Sequence, residues 1–237
     1  MFKLTFVPKS ELAYSGTRND LELEVIKSVH AENVLLLCPH PDDETFGCGA
    51  LLKHLSSNGS HIKAIYFADG SVGNSEGKAS RELISEREEE VFEVLKILGI
   101  SEVNFLRIPD RKIRFSDGLT LRLFEELKIK HYDLVLVPSS DDWNSDHLAV
   151  NLIFQAAYKK LKSKKTKVWQ YFVWGFYRPN LLFPADRYIN YKREAARCHK
   201  SQLKIRPYDE TFLCRDQYLG KGFGVSKYAE AYRDTEK

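Results

Sequence analysis

The sequence is short of the features that place a chain outside the ordinary globular class. It has 4 cysteines, Cys38, Cys48, Cys198 and Cys214, and no two form a C-x-x-C pair. Neither a cysteine zinc knuckle nor a disulfide framework is therefore signalled, and the thiols are expected to be reduced and mostly buried. No apolar run approaches the ~18 residues of a membrane span, and the opening MFKLTFVPKSELAYSG lacks the apolar region of a signal peptide. Neither sign of charge dominates: Lys and Arg number 36 and Asp and Glu 33, a net charge of +3, without the clustered basic face that nucleic acid requires. Internal repeats and low-complexity linkers are missing too. These absences lead to the expectation of a cytoplasmic protein with no nucleic-acid partner and no transmembrane segment, with peripheral membrane contact still open. They say nothing about oligomeric state.

What is present is a globular composition, 43% hydrophobic and 29% charged over 237 residues, which excludes disorder, collagen and coiled coil as whole-chain readings. Short apolar runs at 33–38, 61–68, 103–108 and 133–138 suit strands buried on both faces. Helical patterns follow them at 45–57, 81–98, 119–130 and 147–163. In the second helix Ile84, Val91, Leu95 and Leu98 make one stripe that Gly99 ends. Strand alternating with helix predicts an α/β, Rossmann-like fold, a mostly parallel sheet flanked by helices on both faces. The last third is less regular: 167–174 reads as a strand and 189–200 as a helix. The tail 203–237 reads as a glycine-bearing loop (Gly220, Gly222, Gly224) and a short Tyr-Ala-Glu-Ala-Tyr segment. The whole, 1–237, reads as one domain, with 1–20 as an N-terminal arm and 167–237 elaborating the substrate side.

Two loops carry chemistry. Pro39-His40-Pro41-Asp42-Asp43-Glu44 follows the strand at 33–38, and Ser139-Ser140-Asp141-Asp142-Trp143-Asn144-Ser145-Asp146-His147 follows the strand at 133–138. Ligands of open α/β sheets bind beyond the carboxyl ends of strands, where these loops lie. Acidic groups so close together repel unless a cation balances them. If the loops converge, His40, Asp43 and His147 make the two-histidine, one-carboxylate set of a catalytic zinc with an open fourth position. Asp42 projects to another side of the turn, where it can hold the attacking water and take its proton. Magnesium is the nearest alternative metal, but histidines favour zinc. The reaction class is metal-assisted hydrolysis of an amide or ester.

These motifs resemble the LmbE-like or PIG-L N-deacetylases. Further likeness lies in Tyr66-Phe67-Ala68-Asp69-Gly70, Arg87-Glu88-Glu89-Glu90, Ile108-Pro109-Asp110, Ser201-Gln202 and Tyr228-Ala229-Glu230. The resemblance implies one Zn²⁺ per chain on His40, Asp43 and His147, with Asp42 as general base. It implies Arg87 and Asp110 as contacts to the sugar or its substituent, and Asp146 as the carboxylate that orients a catalytic histidine. The implied substrate is an N-acetylglucosamine-type amino sugar or glycoconjugate. An amidase on another N-acyl or thiol–sugar conjugate is the alternative. The chain departs from the family at Asn144, where a histidine is usual. An amide can donate a hydrogen bond to an oxyanion but cannot transfer a proton, so a catalytically impaired metal-binding homologue also stays open.

Each feature has a plainer reading. The acidic loops could simply cap helices. Arg87 could pair with Glu90 across one turn, and Cys48 could only pack its helix. Lys159 to Lys165 could be a solvated helix end. His199, in the C-terminal segment, is the one further histidine with a claim on the site. The aromatic stretch Trp169, Tyr171, Phe172, Trp174, Phe176 and Tyr177 is expected to be mostly core.

Overall fold

The computed structural model describes residues 1–7, 23–74, 77, 79–161, 165–175 and 179–235. Most of the expected N-terminal arm, Phe176 and Tyr177, and the middle of the basic run (162–164) lie outside these residues. Nine strands form one sheet: β1 (Lys3–Phe6), β2 (Glu24–His30), β3 (Asn33–Cys38), β4 (His61–Ala68), β5 (Glu102–Ile108), β6 (Leu134–Pro138), β7 (Lys167–Tyr171), β8 (Leu181–Pro184) and β9 (Ala229–Asp234). Their spatial order is β1-β2-β8-β9-β7-β6-β3-β4-β5.

The expectation of a mostly parallel sheet needs correction, because the sheet is mixed. Strands β7, β6, β3, β4 and β5 run parallel. The other half is built differently: β9 lies antiparallel between β7 and β8, and β1 is antiparallel to β2. The chain's last strand enters the middle of the sheet, and residues 24–30 and 181–184 extend it. These short segments do not continue the regular alternation of one strand with one helix seen in the first half, since three helices separate residues 181–184 from the last strand.

The parallel strands alternate their contacts between two cores. Val34, Leu36 and Cys38 of β3 face one cluster, which also contains α1 (Asp43–Ser57) and α2 (Arg81–Leu98). Leu35 and Leu37 face a second cluster with α3 (Asp117–Ile129) and α4 (Ser145–Lys159). Burial on both faces is why these strands read as unbroken apolar runs. The remaining helices are α5 (Ile189–Cys198), α6 (Lys200–Leu203) and α7 (Tyr208–Gly222). No helix among the described residues is long and apolar enough to cross a membrane.

Helix α7 occupies the stretch expected to be a loop. Gly220 and Gly222 misled the pattern, since glycine is costly inside a helix. A Cβ at Gly220 would stand 2.7 Å from the Tyr228 amide nitrogen, so this glycine serves close passage of the returning chain. Two cysteines, Cys38 and Cys48, are buried, Cys198 is partly buried and Cys214 is exposed, so the thiols are less buried than expected. All four are free.

The topology fixes where a site can form. From β3 the chain moves outward to β4 and β5, then returns to β6 on β3's other side. The strand order therefore reverses between β3 and β6, and a crevice opens there beyond the carboxyl ends. The two acidic, histidine-bearing loops leave those two strands.

Candidate metal and acid–base site

Helix α1 starts at Asp43, two residues earlier than the apolar pattern predicts, so the acidic turn forms the first helical turn. Thr45 N and Phe46 N donate to the Asp42 carbonyl, and His40 N donates to Asp43 Oδ2 at 2.8 Å. Gly47 lets this helix sit against the sheet, since a Cβ there would meet the Tyr171 ring at 2.4 Å. On the other side of the crevice Asn144 caps α4, its Oδ1 accepting from Asp146 N at 2.9 Å. His147 then lies in the first turn of α4, fully buried.

The two loops converge. His40 Nδ1 and His147 Nε2 are 3.2 Å apart, His40 Nδ1 and Asp43 Oδ2 3.5 Å, and His147 Nε2 and Asp43 Oδ2 3.4 Å. Nitrogen and oxygen ligands at about 2.0–2.1 Å from a tetrahedral zinc stand roughly 3.3–3.4 Å from one another. The three expected ligand atoms thus already have the spacing of three corners of that tetrahedron.

Each imidazole has a carboxylate on its other nitrogen. His147 Nδ1 lies 3.1 Å from Asp142 Oδ2, and His40 Nε2 lies 3.2 Å from Asp146 Oδ2 and 3.4 Å from Asp110 Oδ1. Carboxylates in this position fix the ring and the tautomer that turns its lone pair toward a metal. Burial alone would depress the His40 pKa, but Asp110, Asp146 and Asp43 overcome it and raise the ring well above its usual value. Asp43 is buried, yet His147 and His40 hold its carboxyl below the usual range. Four aspartates around two imidazoles make an electrostatic environment suited to a cation.

Asp42 stands apart from this group, as expected from the turn. Arg87 Nη2 donates to Asp42 Oδ2 at 3.0 Å and to the Pro41 carbonyl at 2.9 Å, while Nη1 donates to the Gly70 carbonyl at 3.2 Å. Gly70 has a positive φ of 69°, and a side chain there would strike the guanidinium. Arg87 is buried at 2% exposure, so these donors serve the protein. Its suggested surface partner Glu90 instead accepts from Ser201 N and Oγ. Burial pushes the Asp42 carboxyl upward, against the pull of Arg87.

Asp110 joins the cluster through Asp69, whose Oδ1 accepts from Asp110 N and Ser71 N, both at 3.0 Å. Asp146 also accepts from Arg111 N at 2.8 Å. Its partner is His40, not a histidine at 144; its Oδ1 is buried without a hydrogen bond among the described residues. His199 is fully buried and pairs with Glu44 Oε1 at 2.9 Å and Thr45 Oγ1 at 3.1 Å. It braces the first turn of α1 from behind.

Asp142 is the participant that sequence reasoning missed. Five residues before His147, it lies in an irregular loop with no period to aim it. It accepts from Asn144 N at 2.9 Å through Oδ1 and from Trp174 N at 3.4 Å through Oδ2. Asp142→Asn should weaken metal binding by about 10–100-fold, as measured by competition with a chromogenic chelator. Unchanged affinity would show that the Asp142–His147 contact does not tune the ligand.

A model of the PIG-L family, described as GlcNAc-PI de-N-acetylase, matches residues 35–158, more than half of the chain. The chain belongs to the PIG-L family. The match spans β3 to α4 and so includes both loops. Diacetylchitobiose deacetylase of Thermococcus kodakarensis is 25% identical to this PIG-L member over 93% of this chain and 90% of that one. The structure of N,N'-diacetylchitobiose deacetylase from Pyrococcus horikoshii superposes with a TM-score of 0.77 at 23% identity, covering 86% of this chain and 83% of that one. GalB, the 4-carboxy-2-hydroxymuconate hydratase from Pseudomonas putida, superposes with a TM-score of 0.71 at 21% identity, covering 86% and 96%. The PIG-L architecture thus hosts more than one reaction, and activity must be argued from the site.

Proposed function

We propose that the chain is a single-domain, metal-dependent hydrolase that removes an N-acetyl group from an N-acetylglucosamine-type amino sugar or glycoconjugate. The observation that carries the reading is the spacing of His40 Nδ1, Asp43 Oδ2 and His147 Nε2, 3.2–3.5 Å, with a separately held carboxylate, Asp42, beside them. Family membership and the two diacetylchitobiose deacetylases support the substrate class.

His40, Asp43 and His147 hold the metal, and the donor set, two imidazoles and one carboxylate, favours one zinc over magnesium. When bound, such a cation supplies Lewis acidity at the acyl carbonyl and makes a water more acidic. Asp42 takes the proton from the attacking water and delivers it to the departing amine as the C–N bond breaks. Arg87 is a positioning residue for this step: it fixes Asp42 Oδ2 and leaves Oδ1 for the water. Asp110 and Asp146 orient His40, and Asp110 remains the better placed of Arg87 and Asp110 for contact with the sugar. Asn144 offers its Nδ2 to the developing oxyanion, since only its Oδ1 is used in the helix cap.

Release of acetate from diacetylchitobiose and from methyl 2-acetamido-2-deoxyglucoside tests the reading. Metal-dependent acetate release supports it. A fully metal-loaded protein inert on every N-acyl sugar in a panel would overturn it. Asn144→His is expected to raise kcat about tenfold or more, because an imidazole at this position can transfer a proton where the amide cannot. It should also lower stability by about 1 kcal/mol through loss of the helix cap. A fall in kcat would instead mean that the amide at 144 is required by the native substrate.

A further inference from the structure

Helix α1 is broken inside. Cys48 has φ −150° and ψ 22°, outside the helical range, so residues 43–47 are set off from the body of the helix. In an unbroken helix Ala50 N would donate to the Phe46 carbonyl and Leu51 N to that of Gly47. Here both amides donate to one carboxylate: Ala50 N to Glu230 Oε1 and Leu51 N to Glu230 Oε2, each at 2.9 Å. The Phe46 carbonyl accepts from Arg215 Nη2 at 2.6 Å. Side chains that enter the hydrogen-bond ladder are a known cause of helix breaks. The anion meets the amides and the cation meets the carbonyl, which is the pairing that the helix dipole favours.

Behind the break the two side chains are joined. Lys192 Nζ lies 2.7 Å from Glu230 Oε1 and 2.6 Å from Asp216 Oδ2. Arg215 Nη2 lies 2.8 Å from Asp216 Oδ1. Glu230 and Asp216 are fully buried and Lys192 is nearly so. Tyr232 Oη also donates to Glu230 Oε2, at 2.8 Å, and a Cβ at Gly49 would stand 3.0 Å from Lys192 Cγ, so helix and network fit closely. An unbroken α1 would satisfy the same backbone groups without taking these charges out of water, which is costly even when they are paired. A local rule broken at such cost points to function. What the break changes is the direction of the first turn, and that turn carries Asp43 and follows Asp42. Arg215 ties it through Phe46, three residues beyond Asp43. The four charged residues all lie C-terminal to the stretch 35–158 that matches the family model.

We propose that Arg215 and Glu230 are positioning residues for the metal site: their charge network holds α1 broken and so sets the place of Asp43 against His40 and His147. The proposal rests on the reading of those three residues as metal ligands and is independent of the substrate.

Arg215→Met tests it, because Arg215 is the most exposed of the four, at 24% of its side chain, and methionine keeps an apolar stem. Zinc affinity of the whole chain is measured by competition with a chromogenic chelator, beside the visible spectrum of the cobalt-loaded protein and a denaturant melt. The affinity is expected to fall about tenfold, within the range for residues that orient a ligand, and the cobalt bands to shift. Leu127→Ala, in the core on the other face of the sheet, is the control: it should lower stability at least as much and leave affinity and spectrum unchanged. Arg215→Lys keeps the charge beside Asp216 but not the fork that reaches two carbonyls. It should restore stability more than affinity, and it serves as the test if Arg215→Met does not fold. Unchanged zinc affinity and an unchanged cobalt spectrum in the folded variant would overturn the proposal and leave the network a support for the fold alone. A protein that binds no zinc before any substitution would overturn the metal reading and the proposal with it. The expected fall in affinity, in a protein inert on every N-acyl sugar, would overturn the deacetylase reading and leave the positioning role standing.

Discussion

Asp42→Asn is expected to lower kcat by about 10²–10⁴-fold while the protein keeps its metal. The amide preserves the shape of the side chain and can still accept from Arg87, so the turn before α1 should hold its geometry. It cannot accept the proton of a water. The substitution also removes the counter-charge of a guanidinium that is buried at 2% exposure, and breaking such a pair costs about 3–5 kcal/mol when nothing else compensates. Here the Pro41 and Gly70 carbonyls remain as acceptors, so the loss of stability should fall below that range. Single-turnover kinetics beside metal analysis and a melting curve separate the effects. Unchanged kcat in a metal-loaded variant would remove Asp42 as the base.

His147→Ala should have the other large effect, and it should act on metal before chemistry. Structural zinc sites bind with about 10–16 kcal/mol shared over four ligands, so one ligand is worth roughly 2.5–4 kcal/mol, or about 10²–10³ in affinity. The variant should therefore lose most of its metal on dialysis and its turnover in the same proportion. His131→Ala, a change of a histidine whose side chain is 61% exposed near the far end of β6, should keep both. Undiminished metal content in His147→Ala would show that the ligand set is wrong.

The parts of this molecule that sequence reasoning reached are those governed by a period. Strands β3 and β4 and helix α2 fall on the predicted residues, because strands buried on both faces and a capped amphipathic helix leave direct marks in the order of amino acids. The two chemical loops were legible for a related reason: each stands at the end of such a strand, and topology brings strand ends together. What stayed hidden depends on contacts between distant segments. Strand β9 is six residues, and although α7 precedes it, it enters the sheet antiparallel. Gly220 reads as a loop signal although it marks the crossing of two chains. Asp142 and Asp141 are equivalent in sequence, and only the fold turns the first toward His147 and the second toward Arg233. Arg87 reads either as a surface partner of Glu90 or as a contact to the sugar, and only the burial of α2 against the loop after β4 makes it the partner of Asp42.

The central claim is that His40, Asp43 and His147 hold one catalytic metal ion. The most direct test is elemental analysis of the protein purified without added metal or chelator, repeated after zinc is supplied and excess removed. The account predicts close to one zinc per chain. Failure to retain any transition metal, even after zinc is supplied, would contradict it.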